Sequence, residues 1–91
     1  MNPENQPKWT HEDCVNYESA RELITHLMAF RSEWIARERA KVAPDLVAIE
    51  RWNAERGSYA AELRGLDVTD RENIARIRRD YGAEIRRLSA A

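Results

Sequence analysis

Apolar positions recur along this chain with helical period in three blocks. From Val42 to Leu66 they fall at Val42, Ile49, Trp52, Tyr59, Leu63 and Leu66. That spacing keeps one stripe along one side of a helix. One charge, Arg56, interrupts the stripe. A charge inside a buried stripe needs a partner or marks a place where something binds. Upstream, Ala20, Leu23, Ile24, Leu27, Met28, Phe30, Trp34, Ile35 and Val42 share one broad arc at 100° per residue, with Arg31 and Glu38 inside it. Downstream, Ile74, Ile77, Tyr81, Ile85 and Leu88 form a third stripe among six arginines.

Punctuation divides these blocks into helices over about 10–43, 45–66 and 70–88. Thr10 with Asp13 makes a partial capping box, and Asn16 is a second candidate cap. Pro44 disfavours helical backbone before it and suits the first turn of the next helix. Gly65 and Asp67 close the second helix, and Thr69 with Glu72 forms a capping box for the third, with Asp70 adding charge at its start. Gly57, inside the second helix, suggests close approach of another helix or a weak point. The leader MNPENQPK and Trp9 carry no periodic pattern, so residues 1–9 read as a flexible leader and 10–91 as one helical domain. The expected fold is all-α: an antiparallel three-helix bundle, or a long helical hairpin with a third helix packed on it.

Short turns then set a register. Folding back at Pro44 faces residues whose numbers sum to about 87, pairing Trp34 with Trp52 and Arg31 with Arg56. Folding back at Val68 gives a sum of about 136 and pairs Tyr59 with Ile77 and Arg56 with Asp80. The first helix exceeds the others, and its N-terminal end is expected to project.

Charge and composition narrow the functional classes. The 91 residues are 34% charged with a net charge of −1, unlike a strongly basic nucleic-acid binder or a strongly acidic mimic of one. No apolar run is long enough to span a bilayer and no secretory leader is evident, so a cytoplasmic protein without membrane attachment is expected. One cysteine, Cys14, precludes an internal disulfide framework. Thirteen Arg against two Lys suits a GC-rich bacterial or phage genome.

Chemical constellations are sparse. His11 and Cys14 share a helical face, but no second ligand pair accompanies them, and Glu22 with His26 lacks the Glu-x-x-His spacing of di-iron bundles. No phosphate loop or nucleophilic triad stands out, so neither cofactor nor metal is expected. The plan of one long and two shorter helices resembles the all-helical chorismate mutase family in architecture. That resemblance would give Arg21, Arg31, Arg39, Lys41 and Arg51 the task of gripping a dianion, although the family's local motifs are not found around them. The third helix offers Arg78, Arg79, Arg86 and Arg87 to nucleic acid, but its acids are spaced for local ion pairs and its helices are too long for a helix-turn-helix. Trp9, Tyr17 and Phe30 lie at the edges of the first arc, where aromatic side chains favour protein interfaces, and Arg31 joins them as spare charge. The sequence therefore reads as a small non-enzymatic protein-binding module, accessory or inhibitory, of the antitoxin or phage anti-defence type and capable of forming a homodimer. A nucleic-acid-associated regulator ranks second and a chorismate-mutase-like enzyme third.

Overall fold

A computed structural model describes residues 8–91, and the expected leader lies outside them apart from Lys8 and Trp9. The fold is all-α: three helices, α1 (His11–Arg39), α2 (Leu46–Arg64) and α3 (Arg71–Ala90), with no strand among the described residues. α1 packs against both α2 and α3, whereas the backbones of α2 and α3 do not meet. Those two helices touch through long side chains alone, so α1 is the spine of the bundle.

Local chemistry sets each boundary. Thr10 caps α1 in a complete capping box: its hydroxyl accepts the Asp13 N–H at 3.1 Å, and the Asp13 carboxylate accepts the Thr10 N–H at 2.8 Å. Asn16 lies within the helix. α1 ends at Arg39, four residues short of the expected Ala43, because the chain must turn before Pro44. Glu38, 8% exposed, holds that turn by accepting the Asp45 N–H at 3.1 Å and the Lys41 ammonium at 3.0 Å. Val42 is consequently outside any helix and fully exposed, not a member of the inward stripe. Asp45 caps α2 by accepting the Ala48 N–H. α3 starts one residue later than the Thr69 box implies: Asp70 is its cap, accepting from Asn73 N–H, and Thr69 bonds Asp67 instead.

Packing follows the stripes. Ala20, Ile24, Ile74 and Ile77 form the centre of the core, flanked by Tyr17, Met28, Tyr59, Leu63, Leu66 and Tyr81. Complete burial of Ile24, Leu27 and Ile77 stabilises by about 1.5–3 kcal/mol each. Ile35, Ala48 and Ile49 are buried in the turns flanking Pro44.

The hairpin register of α1 and α2 is as expected: Trp34 and Trp52 lie 5.8 Å apart, ring centre to ring centre. The register of α3 is not. Tyr59 meets Tyr81 edge-on at 5.6 Å, about one turn beyond the expected Ile77, and Glu62 takes Arg76 at 2.8 Å, about half a turn beyond the position that register gives it. The cause is that α3 docks on α1. Arg71 makes two hydrogen bonds to the Asp13 carboxylate, at 2.9 and 2.7 Å, and Arg78 reaches Asn16 at 2.8 Å. These contacts cover the N-terminal end of α1, so that end does not project. The uncovered tip is the Pro44 end, where Val42, Leu46 and Val47 are largely exposed.

Candidate protein-binding surface

A polar band crosses the bundle at mid-height, built on Arg31. This residue sits in the inward arc of α1, so helical geometry forces its guanidinium between the helices, and it is 7% exposed. Its Nε donates to Glu55 Oε2 at 3.1 Å, and its guanidinium carbon lies 4.8 Å from the Trp34 ring centre and 5.1 Å from that of Tyr59. Aromatic faces stabilise a partly desolvated cation in this way. Its Nη1, however, is buried with no acceptor among the described residues. Glu84 of α3 feels the Arg31 charge, yet its carboxylate is taken by Arg87, which holds it below the usual glutamate range. Burial pushes the Tyr59 phenol upward, partly offset by Arg31.

This arrangement corrects two expected pairs. Arg56 meets neither Arg31 nor Asp80: it donates to Ser32 Oγ at 2.9 Å and Asn53 Oδ1 at 2.7 Å near the surface. Asp80 pairs with its neighbour Arg79 at 2.9 Å. The buried charge of the α1–α2 seam is therefore Arg31, with Glu55 as its partner.

The four residues singled out for protein binding fall into two groups. Trp9, 41% exposed, and Tyr17 line one open cleft of about 450 Å³ together with Cys14, Glu18, Leu66, Asp67 and Val68. Phe30 stands further along α1 in an aromatic row: it stacks on His26 at 5.1 Å and lies 6.0 Å from Trp34, which continues to Trp52. The spacing of four residues between His26, Phe30 and Trp34 stacks them on one side of the helix. Arg31 touches this row from beneath, through Trp34. A second open cleft, of about 400 Å³, lies between Trp34 and Trp52 and is rimmed by Arg37, Glu38 and Lys41.

The arginines of α3 are mostly engaged within the chain. Arg79 and Arg87 pair with Asp80 and Glu84, Arg78 bonds the Asn16 amide, and Arg76 bridges to Glu62 on α2. Arg86 is exposed with no ion pair among the described residues. The five basic residues of the chorismate-mutase comparison do not converge. Arg31 and Arg51 share Glu55, Lys41 is on Glu38, Arg21 lies over Tyr17, and Arg39 is exposed at the end of α1. No group of three or more His, Cys, Asp and Glu residues placed to hold a metal occurs among the described residues. No helix among them is long and apolar enough to cross a membrane.

Two polar constellations were less visible in the sequence. Asp13 joins the Thr10 cap to Arg71, which holds its carboxyl down from 3.8 to about 2. Its signal was its place on the inward arc, the same helical angle as Arg31. Glu62 accepts the Tyr81 hydroxyl at 2.6 Å as well as Arg76, a link between α2 and α3 that local spacing does not reveal. No protein-family model, curated protein or solved structure matches the chain.

Proposed function

We propose that this chain is a non-enzymatic protein-binding module and that the Trp9–Tyr17 cleft receives its partner. One observation carries the reading: Trp9 keeps 41% of its surface exposed beside a cleft whose other walls include Tyr17, Cys14, Leu66 and Val68. An indole held at the rim of an apolar recess loses little conformational freedom on binding and buries a large area, which is why Trp and Tyr dominate interface energetics. The partner chemistry that suits this cleft is an apolar side chain flanked by neutral or basic groups, since Glu18 and Asp67 put two acids and no base on its walls. An accessory or inhibitory role in the cytoplasm of a bacterium, or on a mobile element, is the biological setting we propose, supported by the Arg-rich composition and the small size.

The nucleic-acid reading is weaker because Arg79 and Arg87 are already paired with carboxylates of their own helix. Backbone phosphates would have to displace those acids.

The test is affinity capture with the tagged chain from its own cells, comparing wild type with Trp9→Ala, Tyr17→Ala and the quadruple Arg78/Arg79/Arg86/Arg87→Ala variant. A protein retained by wild type and the quadruple variant but lost with Trp9→Ala is the expected result. Equal capture by Trp9→Ala refutes the cleft. Nucleic acid retained by wild type and lost only with the quadruple variant would replace the reading.

A further inference from the structure

α2 carries two stripes, and the bundle uses one. On the side facing away from α1 lie Val47, Glu50, Ala54, Gly57, Ala61 and Arg64, in alternating steps of three and four residues, and every one of them is exposed. That alternation is the seam of a two-helix coiled coil. Exposed helices of a chain that is 34% charged are ordinarily covered with charge, as the outer side of α3 is with Arg78, Arg79, Asp80, Arg86 and Arg87. This seam has two charges in six positions, and Val47 at its end is 74% exposed, next to Leu46 at 72%.

Gly57 sharpens the point. Glycine is among the poorest helix formers, and here it stands mid-helix with no positive φ to require it. A Cβ built on it would meet nothing within 4 Å. Among the described residues no helix uses the close approach to Gly57 that a side chain of one hydrogen permits.

We infer that this face of α2 binds a second copy of the chain, helix against helix and antiparallel. The two seam charges select that occupant. Glu50 and Arg64 lie seven residues before and after Gly57, and neither takes part in an ion pair among the described residues. When an antiparallel partner brings Gly57 opposite its own copy, Glu50 of each chain falls opposite Arg64 of the other, twice by symmetry. The small residues Ala54 and Ala61 flank the crossing and allow the helix axes to come near the short end of the usual packing range. A parallel pair would instead place Glu50 against Glu50 and Arg64 against Arg64, which like-charge repulsion disfavours. This surface is distinct from the Trp9–Tyr17 cleft, so a dimer would present two such clefts.

Sedimentation equilibrium of the full chain between about 5 and about 200 µM tests the inference. Wild type is expected to dimerise. Gly57→Leu, which has open space in the single chain, is expected to weaken the dimer by at least about tenfold while keeping the helical circular dichroism. Glu50→Arg alone is expected to weaken it, and Glu50→Arg with Arg64→Glu to return it to within about threefold of wild type. A wild type that stays monomeric throughout, or a dimer unaffected by Gly57→Leu, overturns the proposed face. Failure of the double exchange to restore association overturns the antiparallel register.

Discussion

Replacing Arg31 by Met should leave the stability of this protein within about 1 kcal/mol of its present value or raise it, although Arg31 is one of its most buried side chains. The losses are a charge-assisted hydrogen bond to Glu55, about 1.5–3 kcal/mol, and two contacts with aromatic faces, about 0.5–2 kcal/mol each. Against these stand the buried Nη1 without an acceptor, about 1–3 kcal/mol, and the desolvation of the guanidinium itself, several kcal/mol. Met keeps an unbranched stem between Trp34 and Tyr59, and Glu55, with 36% of its side chain exposed, returns to water beside Arg51. The terms cancel to within about 1 kcal/mol or favour Met. Arg31→Ala removes the stem as well and should cost about 2–4 kcal/mol through the cavity it leaves. Glu55→Gln, which keeps the buried cation and removes its anion, should cost about 2 kcal/mol, below the roughly 3–5 kcal/mol for breaking a fully buried pair because Glu55 is partly exposed. Urea unfolding followed by circular dichroism and by tryptophan fluorescence measures all three. If Met were as damaging as Ala, at about 3 kcal/mol or more, the guanidinium would be a net stabiliser and the reasoning on Nη1 would be wrong.

Two further predictions concern the links between helices. The folded pKa of Asp13, about 2, lies below its ordinary 3.8, so the stability it provides is complete above 3.8 and is lost as pH falls through about 2. Asp13→Asn should therefore be less stable than wild type at neutral pH, with the gap between the two closing in acid melts as pH falls from about 4 to about 2; a constant gap down to pH 2 would show that the carboxyl is not held by Arg71. Tyr81→Phe removes the hydroxyl donated to Glu62 and should cost about 0.5–1.5 kcal/mol, with faster amide hydrogen exchange in α3 than in α1. Uniform acceleration across all three helices would contradict a link that acts on α3.

The hairpin of α1 and α2 was legible in the sequence because a short turn ties the numbering of one helix to that of the other. Trp34 opposite Trp52 follows from that arithmetic, and so does the contact of Arg31 with the turn of α2 that holds both Glu55 and Tyr59. The choice of Glu55 over Arg56 lies below its resolution, since adjacent residues differ by 100° around the helix. α3 was not legible in the same way. Six residues, Gly65 to Asp70, separate it from α2, and its position is set by Arg71 on Asp13, a pair 58 residues apart in sequence. Hence the expected bond between Arg56 and Asp80 did not form. Of the candidate surface, Trp9 and Tyr17 were found by their place at the edge of the arc. The cleft they share depends on Leu66 and Val68, whose placement only the docking of α3 decides.

Because α1 alone meets both neighbours through its backbone, the molecule is wired as a hub with two spokes. A disturbance in α2 reaches α3 through α1, through the core cluster against which Leu63 packs with Ile74 and Ile77, or through the bridge of Tyr59, Glu62, Arg76 and Tyr81. Substitutions at exposed positions of the two outer helices, away from the bridge and from the core that Leu63 shares with Ile74 and Ile77, have no shared partner, so their effects on stability add. The outward-facing sequences of α2 and α3 are free to change independently of each other, provided that the bridge, the shared core and the inward arc of α1 are kept.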